Sequence, residues 1–520
     1  MRCYHMKLPD NIITLYDVID GFSTTPPLVN NLLIFRFFRS LFVLSFLNLQ
    51  FKKESCKMEV EIVSKTCIKP SSPTPSNLRI HKLSFLDQFS PSSYIPLILF
   101  YPVNQSAGSY DVADIVSRRS QLLKQSLSET LTRFYPFAGK IKDNLSLDCN
   151  DEGVYYSEAR VQSRLEECLH KPDLLSFQEL ILEYTISKEP SAGDHVVTIQ
   201  VTSFACGGVA IGVYVCHVIA DGTTLSVFLK DWAATASKAA CELAVYPKFD
   251  IAPSIFVQNN AYPKEGKVMA LFGPFFKSGK STLKRIVFDA SAITSLKAKA
   301  TSSSLQNPTR VEVVSAILWK CIMAAFRAKS GVERPTLILH AVNFRRRVSS
   351  PLALTQFLAG NLFWIADASC SEKEPELPQL VSKLREAIMK IDGDFVKSIQ
   401  AGDGGFLTAC ELVKAKTREF SDHVARPNCG MDFIGISSWC NFGIYDIDFG
   451  WGKPKWASFV GSTRSDAEHV FLNMINLMDT RSAGGIEAWV RLDKEDMAIL
   501  GEDKELLSFA SLDPTPIFIN

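Results

Sequence analysis

The chain contains 520 residues, of which 47% are hydrophobic and 21% are charged, and its formal net charge at pH 7 is +1. This length exceeds one ordinary core and predicts two soluble domains of about 200 residues each. The near-zero charge provides no general field that would attract nucleic acid or an anionic membrane. We therefore expect a local pocket, not a charged surface, to select any substrate.

The 13 cysteines are odd in number and scattered along the chain. They form no CxxC pair and no Cys/His cluster at the spacing of a zinc site. Such usage is typical of thiols in a reducing compartment. We expect a cytoplasmic protein with no disulfide framework and no metal.

The first 57 residues differ from the rest of the chain. Residues 30–53 are strongly apolar, but Arg36 and Arg39 interrupt them. Their uncharged stretch, residues 40–50, is too short to span the roughly 30 Å hydrocarbon core of a membrane. No small-residue cleavage site follows. We predict an extension outside the fold and no stable membrane insertion; a membrane-associating segment is the alternative.

The first half of the remaining chain mixes helices and strands. Apolar residues recur at helical spacing from Ile115 to Leu131. Residues 153–161 and 195–204 alternate as strands do, and "ACGG" at 205–208 predicts a turn. The following stretch, "VAIGVYVC", is apolar almost throughout and predicts an internal strand covered on both faces.

Regular patterning fades between residues 245 and 283, which predicts a long connection between domains. Within it, "GPFFKSGKS" resembles a phosphate-binding P-loop. Five residues separate Gly273 from Gly279, one more than the motif requires, and no convincing buried strand precedes them. Nucleotide hydrolysis is therefore excluded.

The second half again mixes both kinds of element. Its patterns predict a strand and helix over 284–300 capped at Asp289 or Ser291, a long helix from Thr309, a strand at 335–344, a hairpin across "TRSAGG" and a closing helix at 494–510.

The stretch "VCHVIADGTT" at 215–224 carries the first candidate for chemistry. His217 ends the predicted internal strand, where a side chain can face a cleft, and neutral imidazole can act as a general base. A core histidine bonded to the backbone is an equally good interpretation. Asp221 or Thr223 could cap the following helix. Cys216 should point to the opposite face of the strand and pack in the core.

A second motif, "DFGWG" at 448–452, changes this balance. Together with HxxxDG at 217–222 it resembles the plant BAHD acyltransferases, and within them the vinorine synthase-like group. Further similar stretches, in the expected order, are "FYPFAGK" at 134–140 and residues 309–321, 341–352, 437–454 and 484–500.

The resemblance implies an α/β fold of two similar-sized, mixed-sheet domains of the chloramphenicol acetyltransferase-like type, with a solvent channel between them. The predicted organisation is an extension at 1–57, an N-terminal domain at 58–245, a crossover loop at 246–283 and a C-terminal domain at 284–520. Monomeric behaviour is the family expectation.

The resemblance also implies roles for individual residues. His217 would be the general base, and Asp221, followed by Gly222, would turn away from the channel to pair with Arg345 or, as second choice, Arg347. The remaining implied residues are Asp448, Gly450 and Gly452 as architectural support, and Lys284, Arg285, Thr309 and Arg310 as coenzyme contacts. Ser438, Trp439 and Asn441 are implied as donors lining the channel, and Ser438 and Trp439 are also expected to contact the coenzyme.

The implied reaction is acetyl transfer from acetyl-CoA, a co-substrate, to a hydroxyl of a specialised plant metabolite, with an alkaloid as the expected acceptor. Both substrates would bind together, and no acyl-enzyme would form. No permanently bound cofactor is expected. The alternatives are another acyl donor, an amine acceptor, or a non-catalytic relative that binds ligands in the channel.

Overall fold

A computed structural model describes residues 58–103, 111–181, 190–238, 247–260, 273–348, 357–400, 402–424, 430–459 and 468–516. The predicted extension at 1–57 lies outside the described residues. The elements up to residue 260 are β1 (Val60–Ile68), β2 (Ile80–Lys82), α1 (Phe85–Phe89), β3 (Tyr94–Tyr101), α2 (Val112–Arg133), β4 (Lys140–Ile141), β5 (Ser146–Asp148), β6 (Val154–Val161), α3 (Leu165–His170), β7 (Val197–Phe204), β8 (Val209–Cys216), α4 (Gly222–Ser237) and α5 (Ile251–Ile255).

The elements after residue 272 are β9 (Lys277–Gly279), β10 (Ser281–Phe288), α6 (Ala290–Ala300), α7 (Arg310–Ser330), β11 (Thr336–Asn343), β12 (Phe363–Cys370), α8 (Leu377–Met389), α9 (Gly393–Ile399), α10 (Gly402–Val424), β13 (Asp432–Ser438), β14 (Trp456–Ser458), β15 (His469–Phe471), β16 (Met474–Asp479), β17 (Ile486–Asp493), α11 (Lys494–Leu500), α12 (Lys504–Leu507) and β18 (Ser511–Leu512).

The first large sheet has six strands in the order β1-β6-β7-β8-β3-β14. β8 lies between β7 and β3 and is antiparallel to both. All of its residues are buried, which confirms the prediction of an internal strand. Helix α2, as predicted from its spacing, packs against α4. This sheet therefore holds the end of β8, and with it His217, in a rigid frame.

The second large sheet has seven strands in the order β12-β11-β13-β16-β17-β10-β18. The predicted hairpin is confirmed, since β16 and β17 pair in antiparallel register. β11, β13 and β16 are mutually parallel, which makes the sheet mixed. The cap of α6 is Asp289, whose carboxylate accepts from the backbone N–H of Ala292 at 2.7 Å. The molecule is thus a mixed α/β protein with two sheet-rich domains.

The domains exchange segments across the predicted boundary at residue 283. Strand β14, from the second half of the chain, pairs with β3 at the edge of the first sheet. Conversely, Phe85 and Leu86 of α1 lie in the hydrophobic core of the second half. A single boundary at residue 283 therefore misplaces these two segments, because long-range pairing leaves no local sequence pattern.

Two further predictions need correction. The closing helix is two short helices, α11 and α12, separated by residues 501–503, and the side chain of Asp503 caps the second at Leu506. Residues 246–283 were predicted to be an irregular crossover loop, but the described residues of this range include α5, β9 and the start of β10. β9 pairs with β15, a partner far along the chain.

Candidate active site

His217 directly follows β8, where the chain leaves the first sheet. Its backbone N–H donates to the carbonyl oxygen of Ser93 at 2.8 Å, which ties it to the start of β3. Its side chain is half-buried, whereas Cys216 is 1% exposed and packs in the core of the first sheet. The strand end thus presents the imidazole and buries the neighbouring thiol.

The imidazole is held by Asn361, in the loop before β12. Nδ1 of His217 lies 3.0 Å from Oδ1 of Asn361. The amide Nδ2 of Asn361 donates to Oδ1 of Asp87 at 2.8 Å and to the carbonyl oxygen of His217 at 2.7 Å. Because both acceptors occupy the Nδ2 side, Oδ1 faces the ring, and Nδ1 must carry the hydrogen. In neutral His217 the lone pair is therefore on Nε2, as a general base requires.

Asp87, behind Asn361, was missed by sequence reasoning. Its carboxylate forms a capping box with Ser84 at the start of α1. The sequence contains that local signal, since Ser84 and Asp87 stand three residues apart on either side of an apolar pair. No local sequence pattern indicates its contact with Asn361, because the two residues are 274 positions apart in the chain. Burial raises the pKa of the Asp87 carboxyl, and hydrogen bonds from Ser84 and Asn361 oppose that rise.

Asp221 caps α4 and does not depend on His217 for a partner. Its Oδ1 accepts from the backbone N–H of Thr224 at 2.9 Å, and its Oδ2 accepts from that of Leu362 at 3.2 Å. The guanidinium of Arg345 donates to both oxygens, at 2.7 and 2.9 Å. Burial alone would raise the pKa of Asp221, but the charge and hydrogen bonds of Arg345 hold it below its ordinary value.

Arg345 joins this cap to the loop that carries Asn361. Its Nε donates to the carbonyl oxygen of Leu358 and its Nη2 to that of Gly360, both at 2.9 Å. Arg347, the second choice for the partner of Asp221, instead donates to the carbonyl oxygen of Ile391. One buried arginine thus fixes the helix start relative to the loop beside the imidazole.

Gly222 opens α4 against two aromatic rings. A Cβ at this position would lie 2.8 Å from the ring of Trp439 and 2.9 Å from that of Phe442. Ser438 and Trp439, from the predicted channel lining, therefore lie close to the start of α4. Trp439 is 6% exposed, and the Ser438 hydroxyl accepts from the backbone N–H of Cys440 at 3.4 Å.

The DFGWG segment forms a closed turn against α4. Oδ1 of Asp448 accepts from the backbone N–H groups of Gly450 at 2.8 Å and Gly452 at 2.9 Å. Both glycines have positive φ, 98° and 113°, where a side chain would be strained. The ring of Phe449 packs edge-on against Trp232 of α4, with centroids 4.9 Å apart. The turn therefore supports the helix whose first residues follow His217.

The predicted coenzyme contacts do not form one group. Arg285 is 2% exposed, and its guanidinium lies 3.2 Å from the carboxylate of Glu487, so its prediction as a phosphate ligand was wrong. Burial between the sheets removes it from solvent. Lys284, on the same strand, is half-buried and pairs with Asp513 at 2.7 Å.

Thr309 and Arg310 lie at the start of α7. The Thr309 hydroxyl accepts from the backbone N–H of Glu312, which completes a capping box and occupies the helix end. Arg310 donates to Oδ1 of Asn441 at 3.1 Å and to Asp479 at 3.0 Å. Arg310 is thus joined to the segment that contains Ser438 and Trp439.

The described ranges contain no group of three or more His, Cys, Asp or Glu side chains that could hold a metal ion. Among the same residues, no helix combines the length and apolar character needed to cross a membrane.

The chain matches known proteins over most of its length. Residues 58–507 match the model of the Transferase family, and the chain belongs to this family of BAHD acyltransferases. It is 51% identical over 466 residues to epi-neemfruitin B 7-O-acetyltransferase of Melia azedarach, covering 88% of this chain and 100% of the relative. It is 50% identical over 473 residues to limonoid 7-O-acetyltransferase of Citrus sinensis, covering 89% of this chain and 100% of the relative.

A solved structure agrees with this assignment. The crystal structure of vinorine synthase aligns with a TM-score of 0.69 at 33% identity, covering 87% of this chain and 99% of that one. The resemblance of the two motifs to those of the BAHD acyltransferases is therefore confirmed. The chain is an acyl-CoA-dependent acyltransferase of specialised metabolism.

Proposed function

We propose that the protein transfers acetyl from acetyl-CoA to a hydroxyl of a limonoid-type terpenoid, at a position equivalent to the 7-hydroxyl. The two relatives named for that reaction are 51% and 50% identical over nearly the whole of their own length. A second candidate acceptor is an alkaloid hydroxyl, which the vinorine synthase match at 33% identity supports more weakly. The limonoid acceptor is placed first because its relatives share the higher sequence identity with this chain.

His217 is the general base in this proposal, and the Asn361 contact at Nδ1 is the observation that carries it. The acceptor oxygen attacks the thioester carbonyl carbon while Nε2 takes the hydroxyl proton. The tetrahedral intermediate then collapses, the carbon–sulfur bond breaks, and the imidazolium returns the proton to the coenzyme A thiolate. Protons and charge balance without any other group, so no acyl-enzyme is needed.

The remaining predicted residues have supporting roles in the proposal. Asp221 and Arg345 hold the loop, Asp448, Gly450 and Gly452 form the turn that braces α4, and both substrates meet in a channel between the two sheets. Ser438, Trp439 and Asn441 remain the predicted channel donors. Arg310 remains the predicted coenzyme contact best supported by its position, because its side chain reaches Asn441.

The compartment and assembly are also proposed: a cytoplasmic monomer. The odd number and the scatter of the cysteines along the chain support a reducing compartment. Light scattering on the purified full chain tests the assembly, because a mass of about twice 57.8 kDa would contradict a monomer.

Thiol release from acetyl-CoA by the full chain tests the reaction, with limonoid and alkaloid alcohols as separate arms. We expect acceptor-dependent release in the limonoid arm, lowered by about 10²–10⁴-fold in kcat for His217→Ala. Cys216→Ala, at the neighbouring buried position, is the matched control and should keep its activity. Full activity of His217→Ala would remove the base assignment.

The alternatives have their own outcomes in the same assay. Release only with a bulkier acyl-CoA would change the donor, and release only with an amine would change the acceptor. No release with any donor and acceptor, combined with ligand binding by calorimetry, would support the non-catalytic interpretation.

A further inference from the structure

A buried carboxylate lies behind the imidazole of His217, one amide away from it. Asp87 is 1% exposed and belongs to α1, which packs in the core of the second domain. Asn361 lies between them, since its single amide contacts both Oδ1 of Asp87 and the His217 ring. The arrangement joins residues that are 274 and 144 positions apart in the chain.

Burial raises the pKa of Asp87, and its hydrogen-bond donors oppose that rise because they stabilise the anionic form. Oδ2 accepts from the backbone N–H of Ser84 at 2.8 Å and from its hydroxyl at 2.7 Å. Oδ1 accepts from the backbone N–H of Asn361 at 2.9 Å and from its Nδ2 at 2.8 Å. All four contacts are donors, and an ionised carboxylate accepts only, so a proton on either oxygen would displace one of them.

The anion acts on His217 through the amide. A carboxylate that accepts from Nδ2 polarises the amide and strengthens Oδ1 as an acceptor, because hydrogen bonds in series reinforce one another at low dielectric. The same contact prevents the amide from rotating. If the amide turned over, Nδ2 would face Nδ1–H, and Oδ1 would face the carboxylate of Asp87.

We propose that Asp87 and Asn361 are positioning residues for the transfer reaction: the carboxylate orients and polarises the amide, and the amide holds His217 with hydrogen on Nδ1 and Nε2 ready to accept the acceptor's proton. The inference rests on the proposed function for its kinetic consequence. In this proposal the carboxylate that acts on His217 is Asp87, which lies outside the HxxxD motif. Asp221, the carboxylate of the motif, is paired with Arg345.

Within the described ranges, two carboxylates are connected to the surroundings of His217. Helix α1 provides Asp87, and the loop after β8 provides Asp221, whose charge is balanced by Arg345. Strand β12 provides the uncharged ring of Phe363, with centroids 5.9 Å apart. Of these two carboxylates, Asp87 is the one joined to the ring through the Asn361 amide.

The first test observes the tautomer without requiring turnover. The full chain is labelled with ¹⁵N-histidine, and two-bond ¹⁵N–¹H correlations identify which ring nitrogen of each of the 8 histidines bears hydrogen. A His217→Gln spectrum assigns the signal. We expect Nδ1–H in the unmodified protein and a change toward Nε2–H in Asn361→Leu. Asn473→Leu, at a buried asparagine bonded to Phe433 in the second sheet, is the matched control and should leave the signal unchanged.

The second test is kinetic. Asn361→Leu should lower kcat by about 10- to 100-fold while KM changes little, because the base is misoriented and in the wrong tautomer. The exchange variant Asp87→Asn/Asn361→Asp keeps the same charge but places it directly against Nδ1. An adjacent anion favours imidazolium, so the acid limb of kcat/KM should move up by about one pH unit or more.

The outcomes separate the two proposals. Nε2–H in the unmodified protein, or retention of Nδ1–H and kcat in Asn361→Leu, would overturn the proposed positioning role of Asp87 and Asn361. An unmoved acid limb in a folded exchange variant would overturn it as well, and this variant serves if Asn361→Leu fails to fold. The expected tautomer pattern without acetyl transfer to any acceptor would instead support the positioning role and reject the proposed function.

Discussion

In the part of the chain that the structure describes, two buried arginine–carboxylate pairs have carboxylates whose pKa values shift in opposite directions. Asp221 pairs with Arg345, and Glu487 pairs with Arg285. Both carboxylates are desolvated by the protein, yet the pKa of Asp221 is lowered and the pKa of Glu487 is raised. An arginine partner by itself therefore does not decide the direction.

The other donors explain the difference. Asp221 also accepts from the backbone N–H groups of Thr224 and Leu362, and it lies at the positive end of α4. Glu487 accepts from the hydroxyl of Tyr445 at 3.1 Å and from the indole N–H of Trp456 at a long 3.5 Å. Preorganised backbone donors compensate burial of the first carboxylate more fully than side-chain donors compensate the second.

The pairs also do different work. The first holds the loop after β8, which contains His217, against the loop before β12, which contains Asn361. The second connects β10 and β17 of the second sheet to Trp456 of β14, which belongs to the first sheet. One pair shapes the candidate active site, and the other joins the domains, so their removal should separate activity from stability.

The largest effect is expected from Asp221→Ala. It leaves Arg345 buried without its carboxylate and removes the cap of α4, which should cost about 3–5 kcal/mol of unfolding free energy. We also expect acetyl transfer to fall by more than about 100-fold, because the loop that orients the base is released. Urea unfolding and thiol release measure the two effects. Asp221→Asn, which can still cap the helix, is the control; if it matched Asp221→Ala in stability, the charge and not the cap would dominate.

The second pair should tolerate joint replacement. Glu487→Leu alone leaves Arg285 buried and unpaired, with an expected cost of about 3 kcal/mol, but Arg285→Met/Glu487→Leu should be near neutral or more stable. Transfer activity should persist in the double variant because no contact with His217 is lost. A double variant as unstable as the single one, measured by urea unfolding, would show that the pair itself holds the domains together.

Gly222→Ala should have an intermediate effect on stability and activity, and it changes the surroundings of the Asp221–Arg345 pair only. Its methyl group would meet the rings of Trp439 and Phe442 at 2.8 and 2.9 Å. We expect a loss of about 1–3 kcal/mol, typical of overpacking, together with lower activity. Gly404→Ala is the matched control, since nothing lies within 4 Å of its Cβ position in α10, and thermal unfolding should show no loss. Equal behaviour of the two variants would contradict the close approach at Gly222.

The smallest effect concerns pH. The pKa of Glu487 is raised above its ordinary 4.5, so the native state binds more protons and stability should fall as pH rises from 4.5 through the native pKa. Glu487→Gln removes this dependence. Its unfolding free energy relative to the unmodified protein should therefore improve as the pH is raised from about 5 to about 7.

Asp221 provides the contrasting case. Its lowered pKa means that its contribution is present above the ordinary 3.8 and is lost only as pH falls below that value. The stability difference between Asp221→Asn and the unmodified protein should therefore stay constant over the same pH range in urea unfolding. A change with pH for Asp221→Asn, or constancy for Glu487→Gln, would overturn the assignment of the two directions.

Local signals in the sequence predicted much of the fold correctly. Alternation and the "ACGG" turn located β7 and β8, helical spacing located α2, and Thr309 and Asp289 marked the starts of α7 and α6. The two motifs, HxxxDG and DFGWG, indicated the family. These features depend on periodicities of two and 3.6 residues and on caps within one helical turn, so neighbours in the chain suffice to reveal them.

Tertiary structure alone decided the partners of those elements. No local pattern assigns β14 to the first sheet, buries Arg285 beside Glu487, or brings Asp87 and Asn361 to the imidazole of His217. The sequence by itself determined which residue types could carry acyl transfer, because chemistry belongs to side chains. The fold determined which carboxylate serves which group, because burial and hydrogen-bond geometry arise from segments that meet only after the chain has folded.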